Sequence, residues 1–458
     1  MATATTDPVR LPPGPRAPKV VQLAAFLTAR DRAMRAVARR YGTPVTVNLP
    51  GFANLVVVSD PDLVKDVFTT DADLLGEGAN LGQVLGPGST FSLDGAAHRQ
   101  RRKLLVPPFH GGRIRAYERI VEDEVMRETA GWPDGDEFAT LPSMMRITLN
   151  AIVRAVFGAD GDTFDELRQL LPDAVLLGSR MTAAPAALRR DWGRFSPGGR
   201  LDRYRRRYDT IVQQLIDNAL NDPSLDERTD VLALLLRARY DDGTRISDQH
   251  LADELLTLLT AGHETTATTL AWTVERLRRH PRLLDELSDD LDADSSELCQ
   301  ATIWEVQRTR PVIQAAIRTA RTRIRLGEWV LPEGSSIAVA IGMAHASEHS
   351  FPHADSFDPT RFLGAKPATN HWIPYGGGVR RCVGATFANM EMTVVLRTLL
   401  REFTLLPTAD ADEPSRSRGV AVAPGRGGLA AVQRRVRCAP TGPADRAVGA
   451  FLVMGGPD

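Results

Sequence analysis

The chain has 458 residues, 43% of them hydrophobic, with 56 basic side chains against 57 acidic ones. That length suffices for a large buried core, and a net charge of -1 excludes a general nucleic-acid-coating protein. The three cysteines, Cys299, Cys382 and Cys438, are widely spaced with no CxxC pair, which excludes a disulfide framework and a cysteine-rich zinc site and points to a reducing compartment, the cytoplasm.

Met1–Arg10 has neither the charged nor the apolar region of a signal peptide. No apolar run reaches the roughly 18 residues of a membrane-spanning helix, so no transmembrane anchor is expected. Lysine stands only at positions 19, 65, 103 and 366, and this arginine-, alanine- and glycine-rich composition points to a bacterial source. Residues 1–19 read as a proline-rich lead-in, with Leu11–Pro18 (LPPGPRAP) extended. Val45–Leu49 and Leu55–Val58 read as strands joined at Pro50-Gly51. From Asp60 the pattern becomes helical, clearest over 116–130, 203–220, 247–280 and 383–401. A second β-rich zone covers Arg323–Leu326 and Ser336–Val339, and a glycine-punctuated third, 417–436, reads as a closing hairpin. The alternating βαβ pattern of a doubly wound fold is absent, and so are internal repeats. The expectation is one large, mainly α domain with small β-sheets over 20–437, and a loosely ordered tail over 438–458.

Three segments carry chemistry. In Trp372–Ala388 a run of three glycines, 376–378, opens backbone conformations closed to other residues and lets a flat object approach the main chain. Cys382 follows, flanked by Arg380 and Arg381, and then comes a helix with Val383, Phe387, Met390 and Val394 on one face. A helix N-terminus and cationic neighbours favour thiolate over thiol. A buried structural cysteine is the ordinary alternative; Cys299 and Cys438 keep that reading, but for Cys382 it leaves the glycines and arginines unexplained. The second segment is Ala261-Gly262-His263-Glu264-Thr265-Thr266, within an apolar helix, where an acid and threonines are costly unless partnered. The Thr265 hydroxyl can bond the Ala261 carbonyl and, with Gly262, open a groove; a kinked core helix with a satisfied carboxylate explains the segment equally well. The third is Glu305-x-x-Arg308, weak alone because the same spacing recurs at Glu124/Arg127, Glu275/Arg278 and Glu413/Arg416, which read as solvated pairs.

Tyr375-x-x-Gly378-x-Arg380-x-Cys382-x-Gly384 resembles the haem-binding signature of the cytochrome P-450 family, with tyrosine where phenylalanine is usual. Residues 261–265 resemble the family's oxygen-activation helix. Glu305–Arg308 with the later Phe357-Asp-Pro-Thr-Arg361-Phe362 resembles its helix K and following segment. The resemblance covers roughly 11–437, is closest to soluble actinobacterial members, and implies the cytochrome P-450 fold and haem b ligated by Cys382. It further implies a cradle that includes Tyr375, Gly376, Gly378, Gly384 and Ala261, and haem carboxylates held by His98, Arg102, Arg318 and Arg380. Glu305, Arg308 and Arg361 would form a buried triad under the haem. The helical groove would receive dioxygen, with Thr265 steadying it and Glu264 gating proton delivery through water, while His263 takes no role.

The activity implied is a haem-thiolate monooxygenase acting on a largely apolar small molecule by hydroxylation or epoxidation. Electrons would come from NAD(P)H through a reductase and a separate ferredoxin or flavodoxin, docking on a basic patch of arginines 99, 101 and 381. Loop 74–92, the 170–200 region, 312–317 and 417–424 would line the pocket. Competing readings are a haem-thiolate isomerase, dehydratase or peroxygenase without external electrons, and a non-catalytic haem carrier. Neither needs the Glu264–Thr265 relay.

Overall fold

A computed structural model describes residues 1–78, 81–158, 161–182, 184, 186–290 and 297–435. The expected tail 438–458 and Cys438 lie outside them. Helices dominate. The central one, Asp248–Leu277, begins where the Ser247 side chain accepts from the His250 N–H, and packs along Leu141–Phe157. From Thr266 to Leu277 it is buried on every face, so its hydroxyls must find partners inside the protein. Along the helix Thr257, Thr260, Thr269 and Thr273 each donate to the carbonyl four residues back, at 2.6–3.0 Å, whereas the buried Thr268 hydroxyl finds no partner among the described residues.

The helices expected at 116–130, 203–220, 247–280 and 383–401 run over Ile114–Thr129, Pro197–Leu220, Asp248–Leu277 and Ala385–Glu402. A further amphipathic helix, Lys19–Tyr41, follows the extended proline segment directly. Its Leu23, Phe26, Met34 and Val37 pack on a five-stranded sheet. That sheet has the order Val45–Val47, Leu55–Val58, Ser336–Ala340, Ala315–Ala320, Leu75–Glu77, and only the 55–58/336–340 pair is parallel. The lead-in itself contributes a strand, Thr3–Ala4, paired with Ile324–Arg325.

The zone 417–436 is not one hairpin. Ser415–Ser417 and Val422–Pro424 pair with each other, while Leu429–Ala430 joins Phe138–Ala139 and Val432–Arg434 joins Phe403–Leu405. The chain is redirected at Gly427 and Gly428, both at positive φ, around the buried Glu413 carboxylate, which accepts the N–H groups of Arg426, Gly428 and Leu429. Glu413 is therefore no solvated partner of Arg416. The other two repeats of the spacing are corrected likewise. Glu124 is buried and ties Arg127 to Arg154 and Asn150 of the neighbouring helix, and Glu275 pairs with Arg276 and Arg279. A buried carboxylate needs several donors, and these segments supply them from across the fold.

Candidate active site

The central helix, the 372–384 loop and the sheet enclose a cavity of 1690 Å³, larger than the roughly 300–1,000 Å³ of ordinary small-molecule sites. Cys382 is surrounded by protein, yet its surface opens into this cavity. Its N–H donates to the Tyr375 carbonyl at 2.9 Å, closing the loop. The following helix begins only at Ala385, with Gly384 at its cap, so the sulfur lies just ahead of the helix and receives the Gly384 N–H. Burial raises the thiol pKa; the Gly384 N–H, Arg102 and Arg381 oppose it without prevailing. In the protein alone desolvation works against the preference for thiolate that the backbone N–H and arginines supply.

Two of the three glycines are required by a neighbour that the sequence does not reveal. A Cβ on Gly378, at φ 64°, would lie 1.8 Å from the Phe68 carbonyl oxygen, and one on Gly377 would enter the Phe68 ring. At Gly376 and Gly384 a Cβ would meet open space, so there a flat group can lie against the main chain. The Tyr375 hydroxyl finds two partners, accepting from Gln307 Nε2 at 2.8 Å and donating to Asn389 Oδ1 at 2.9 Å. Burial holds its pKa well above the ordinary phenol value.

At one edge of the cavity stand His98, Arg102, Arg318 and Arg380. Arg380 bonds the Leu93 carbonyl and Asp94 and lies 3.3 Å from Glu77; Arg318 is 3.9 Å from Glu77 and bonds the Ile317 carbonyl; Arg321 also takes Asp94. Two carboxylates thus serve three guanidinium groups, and the Arg102 side chain makes no hydrogen bond to any described residue. His98 is buried, and desolvation, then Arg380 and Arg102, push its pKa down to about 4. Burial likewise lowers Arg102 and Arg318. This cation-rich edge, with Arg102 left for a further acceptor, suits a ligand with carboxylates, such as the two that haem presents. The site therefore fits haem on three counts: a cysteine sulfur open to the cavity, a glycine-lined approach to it, and paired anion acceptors at the edge.

Ala261 and Thr265 line the same cavity. Thr265 Oγ1 donates to the Ala261 carbonyl at 2.7 Å, the bond expected from sequence, within a continuous helix. The neighbouring Glu264 is buried, which raises its pKa, and Arg418 lies 3.3 Å away and opposes that rise. His263 points elsewhere, with Nδ1 3.2 Å from the Leu259 carbonyl, and burial lowers its pKa to about 4, so it is neutral. Behind the cysteine loop, Glu305 and Arg308 form a bidentate pair with two 2.7 Å bonds. Arg308 also bonds the carbonyls of His345, Ala354 and Ser356, while Glu305 accepts the Asp358 N–H and takes Arg361 at 3.3 Å.

The loop after strand 75–77, the 170–182 turns, 312–317 and Gly419–Val422 all line the cavity, as expected. Phe26, Phe52, Leu201 and Tyr204 also line it. Sequence reading missed these because Phe26, Leu201 and Tyr204 sit on ordinary amphipathic helices and Phe52 in a turn between strands. Arg101 does not belong to an exposed basic patch. It is 3% exposed and bonds Glu254, the Gly88 carbonyl and Tyr240, which fastens loop 85–92 to the central helix; Arg99 and Arg381 are exposed.

A cavity-facing cysteine, a cation cluster for two carboxylates and a mostly helical frame define a haem-thiolate centre. The comparisons agree. The family model for cytochrome P450 matches residues 12–430. Cytochrome P450 138 of Mycobacterium tuberculosis and Mycobacterium bovis is 53% identical over 439 residues, covering 95% of this chain and 99% of the relative. Cytochrome P450 135B1 of the same organisms is 38% identical over 92% of this chain and 91% of the relative. Among solved structures, cyanobacterial CYP120A1 with retinoic acid bound superimposes with a TM-score of 0.81 at 22% identity, over 94% of this chain and all of that one. The haem domain of cytochrome P450DA gives 0.80 at 21% identity, over 93% and 98%.

This chain belongs to the cytochrome P450 family of haem-thiolate monooxygenases. Its cofactor is haem, and Cys382 is the only cysteine among the described residues that opens into the cavity; Cys299 is buried elsewhere, its pKa raised to about 12 by burial. No helix among the described residues is long and apolar enough to cross a membrane.

Proposed function

We propose that this enzyme inserts one atom of dioxygen into a largely apolar small molecule, by hydroxylation or epoxidation, with electrons from NAD(P)H. They arrive through a reductase and a separate ferredoxin or flavodoxin in the cytoplasm. The observation that carries the reading is that Thr265 and Glu264 line the same cavity as Cys382. Bound haem supplies the redox-active iron, and its thiolate ligand favours O–O cleavage. Cys382 ligates it; His98, Arg102, Arg318 and Arg380 hold its carboxylates, with Tyr375, Gly376, Gly384 and Ala261 around it, and Gly378 shapes the loop against Phe68. Glu305, Arg308 and Arg361 brace the loop from behind.

The apolar cavity walls exclude water and orient the substrate, so burial of apolar surface dominates its affinity. Thr265 offers one hydroxyl, tied to the Ala261 carbonyl, as a hydrogen-bonding site beside the reacting position. Glu264, next along the helix, exchanges protons with water. Exposed Arg99 and Arg381 attract an acidic electron donor.

Turnover with ferredoxin, reductase and NAD(P)H tests the reading. Wild type couples electrons to product, and Thr265→Ala diverts them to peroxide while still consuming NAD(P)H. Product formation with peroxide but none with ferredoxin, reductase and NAD(P)H, or indifference to Thr265→Ala, would overturn it in favour of a peroxygenase or carrier.

A further inference from the structure

Glu264 is 8% exposed, and Arg418 is the only basic side chain within salt-bridge distance of it among the described residues, its Nε 3.3 Å from Oε1. Arg418 comes from the turn between Ser415–Ser417 and Val422–Pro424, some 150 residues further along the chain. That turn is fixed at both ends. Val422 donates its N–H to the Val312 carbonyl at 2.9 Å and accepts from Trp272 Nε1 of the central helix at 3.2 Å. At the tip, Ser179 of the helix Asp162–Thr182 accepts the Val420 N–H at 2.9 Å, with its Oγ 3.5 Å from the Arg418 carbonyl. Gly419, at φ 105°, has no room for a Cβ, which would lie 2.4 Å from Ser179 Oγ. One buried hydroxyl on a cavity-lining helix therefore sets where the arginine stands.

We infer that Arg418 is the positioning residue of Glu264, holding its carboxylate toward the hairpin and favouring its charged form, and that Ser179 sets this pairing through the turn. Arg418 is 34% exposed, so it also places the acid one side chain from bulk water, where protons are collected. Other titratable groups near Glu264 do not substitute for it. His263 is neutral and bonded to its own helix, and Glu391, on the helix after the cysteine, contacts Thr266. This inference rests on the reading of Glu264 as the proton-delivery acid.

The test is infrared difference spectroscopy of the ferric holoprotein across pH, following the carboxyl band lost in Glu264→Gln. In Arg418→Met the midpoint of that band moves up by about one pH unit, roughly tenfold more protonated acid at fixed pH, since a nearby cation lowers a carboxyl pKa by about one unit or more. Arg418→Lys returns it to within a few tenths of wild type. Ser179→Ala, which alters neither charge, moves it the same way by less and keeps the test open if Arg418→Met does not fold. An unmoved midpoint in Arg418→Met overturns the inference, as does a lysine variant that behaves like methionine; an unmoved midpoint in Ser179→Ala overturns the role of Ser179. Coupling of NAD(P)H to product in Glu264→Gln judges the underlying reading separately: wild-type coupling would sink that reading without moving the infrared result.

Discussion

Replacing Glu305 with alanine strands a guanidinium group inside the protein. Arg308 and Glu305 are 1% and 0% exposed, and the substitution deletes both 2.7 Å charged bonds between them. Arg308 keeps the carbonyls of His345, Ala354 and Ser356, which solvate its charge without neutralising it. The Asp358 N–H and Arg361 lose their acceptor as well. Breaking a buried pair from one side costs about 3–5 kcal/mol, against a total stability of about 5–15 kcal/mol for a typical domain. The segments that come loose, 345–361, lead directly into the cysteine loop, so the loss falls on haem retention. The assay is the haem-to-protein ratio of purified protein, with urea unfolding alongside. Glu305→Ala should purify largely without haem, and Glu305→Gln, which keeps shape and one acceptor, should fall between it and wild type. An alanine variant with full haem content and stability within about 1 kcal/mol of wild type would refute the assignment of this triad as the brace.

Other substitutions test neighbouring parts. Gly378→Ala places a methyl 1.8 Å from the Phe68 carbonyl oxygen at a positive φ, and should abolish the reduced, CO-bound haem-thiolate spectrum; Gly384→Ala, with open space around it, should retain that spectrum in part. Tyr375→Phe strips the partner from Gln307 and Asn389 and should cost about 1–3 kcal/mol in urea unfolding, while a stability equal to wild type would mean the hydroxyl network carries nothing. His345 is buried with its pKa lowered to about 3 by desolvation and Arg308, and its Nε2 accepts the Ile373 N–H at 2.8 Å. Its unfolded pKa is near 6.5, so the unfolded chain binds the extra proton, and the stability that the neutral ring contributes above pH 6.5 is lost as pH falls toward 3. His345→Gln keeps an acceptor and removes that titration. The stability gap to wild type should therefore close by about 1.4 kcal/mol per pH unit below 6.5, and a gap constant with pH would contradict the buried neutral ring.

The parts of the site legible in the sequence are those whose residues lie close together along the chain. Gly376, Gly378, Arg380, Cys382 and Gly384 occupy nine consecutive positions, and Thr265 reaches Ala261 within one helical turn, so local spacing already specifies the geometry. What stayed hidden depends on partners distant in sequence. Nothing in Gly377-Gly378 announces that Phe68 is the crowding neighbour, or that Arg418 faces Glu264. Arg101 looks like any surface arginine until Glu254 and Gly88 enclose it, and the repeats at Glu124, Glu275 and Glu413 look solvated until side-chain and backbone donors converge on them. Motif spacing reports a covalent constraint, whereas burial of a charge is decided by what the rest of the chain brings to it.

The five-stranded sheet pairs Leu55–Val58 in parallel with Ser336–Ala340, some 280 residues later. As the chain leaves the ribosome, the early strands can form their antiparallel pair but wait for most of the protein before gaining their other neighbour. The helices 141–157 and 248–277 are complete well before that. Contacts of such long range are slow to form, and they leave strand edges and apolar faces open in the interval. His98, Arg318 and Cys382, on which cofactor capture depends, are likewise synthesised far apart, so capture is a late event, after release of nearly the whole chain. Haem that binds only the folded chain draws the equilibrium toward it, so the yield of folded protein should rise with haem supply during expression.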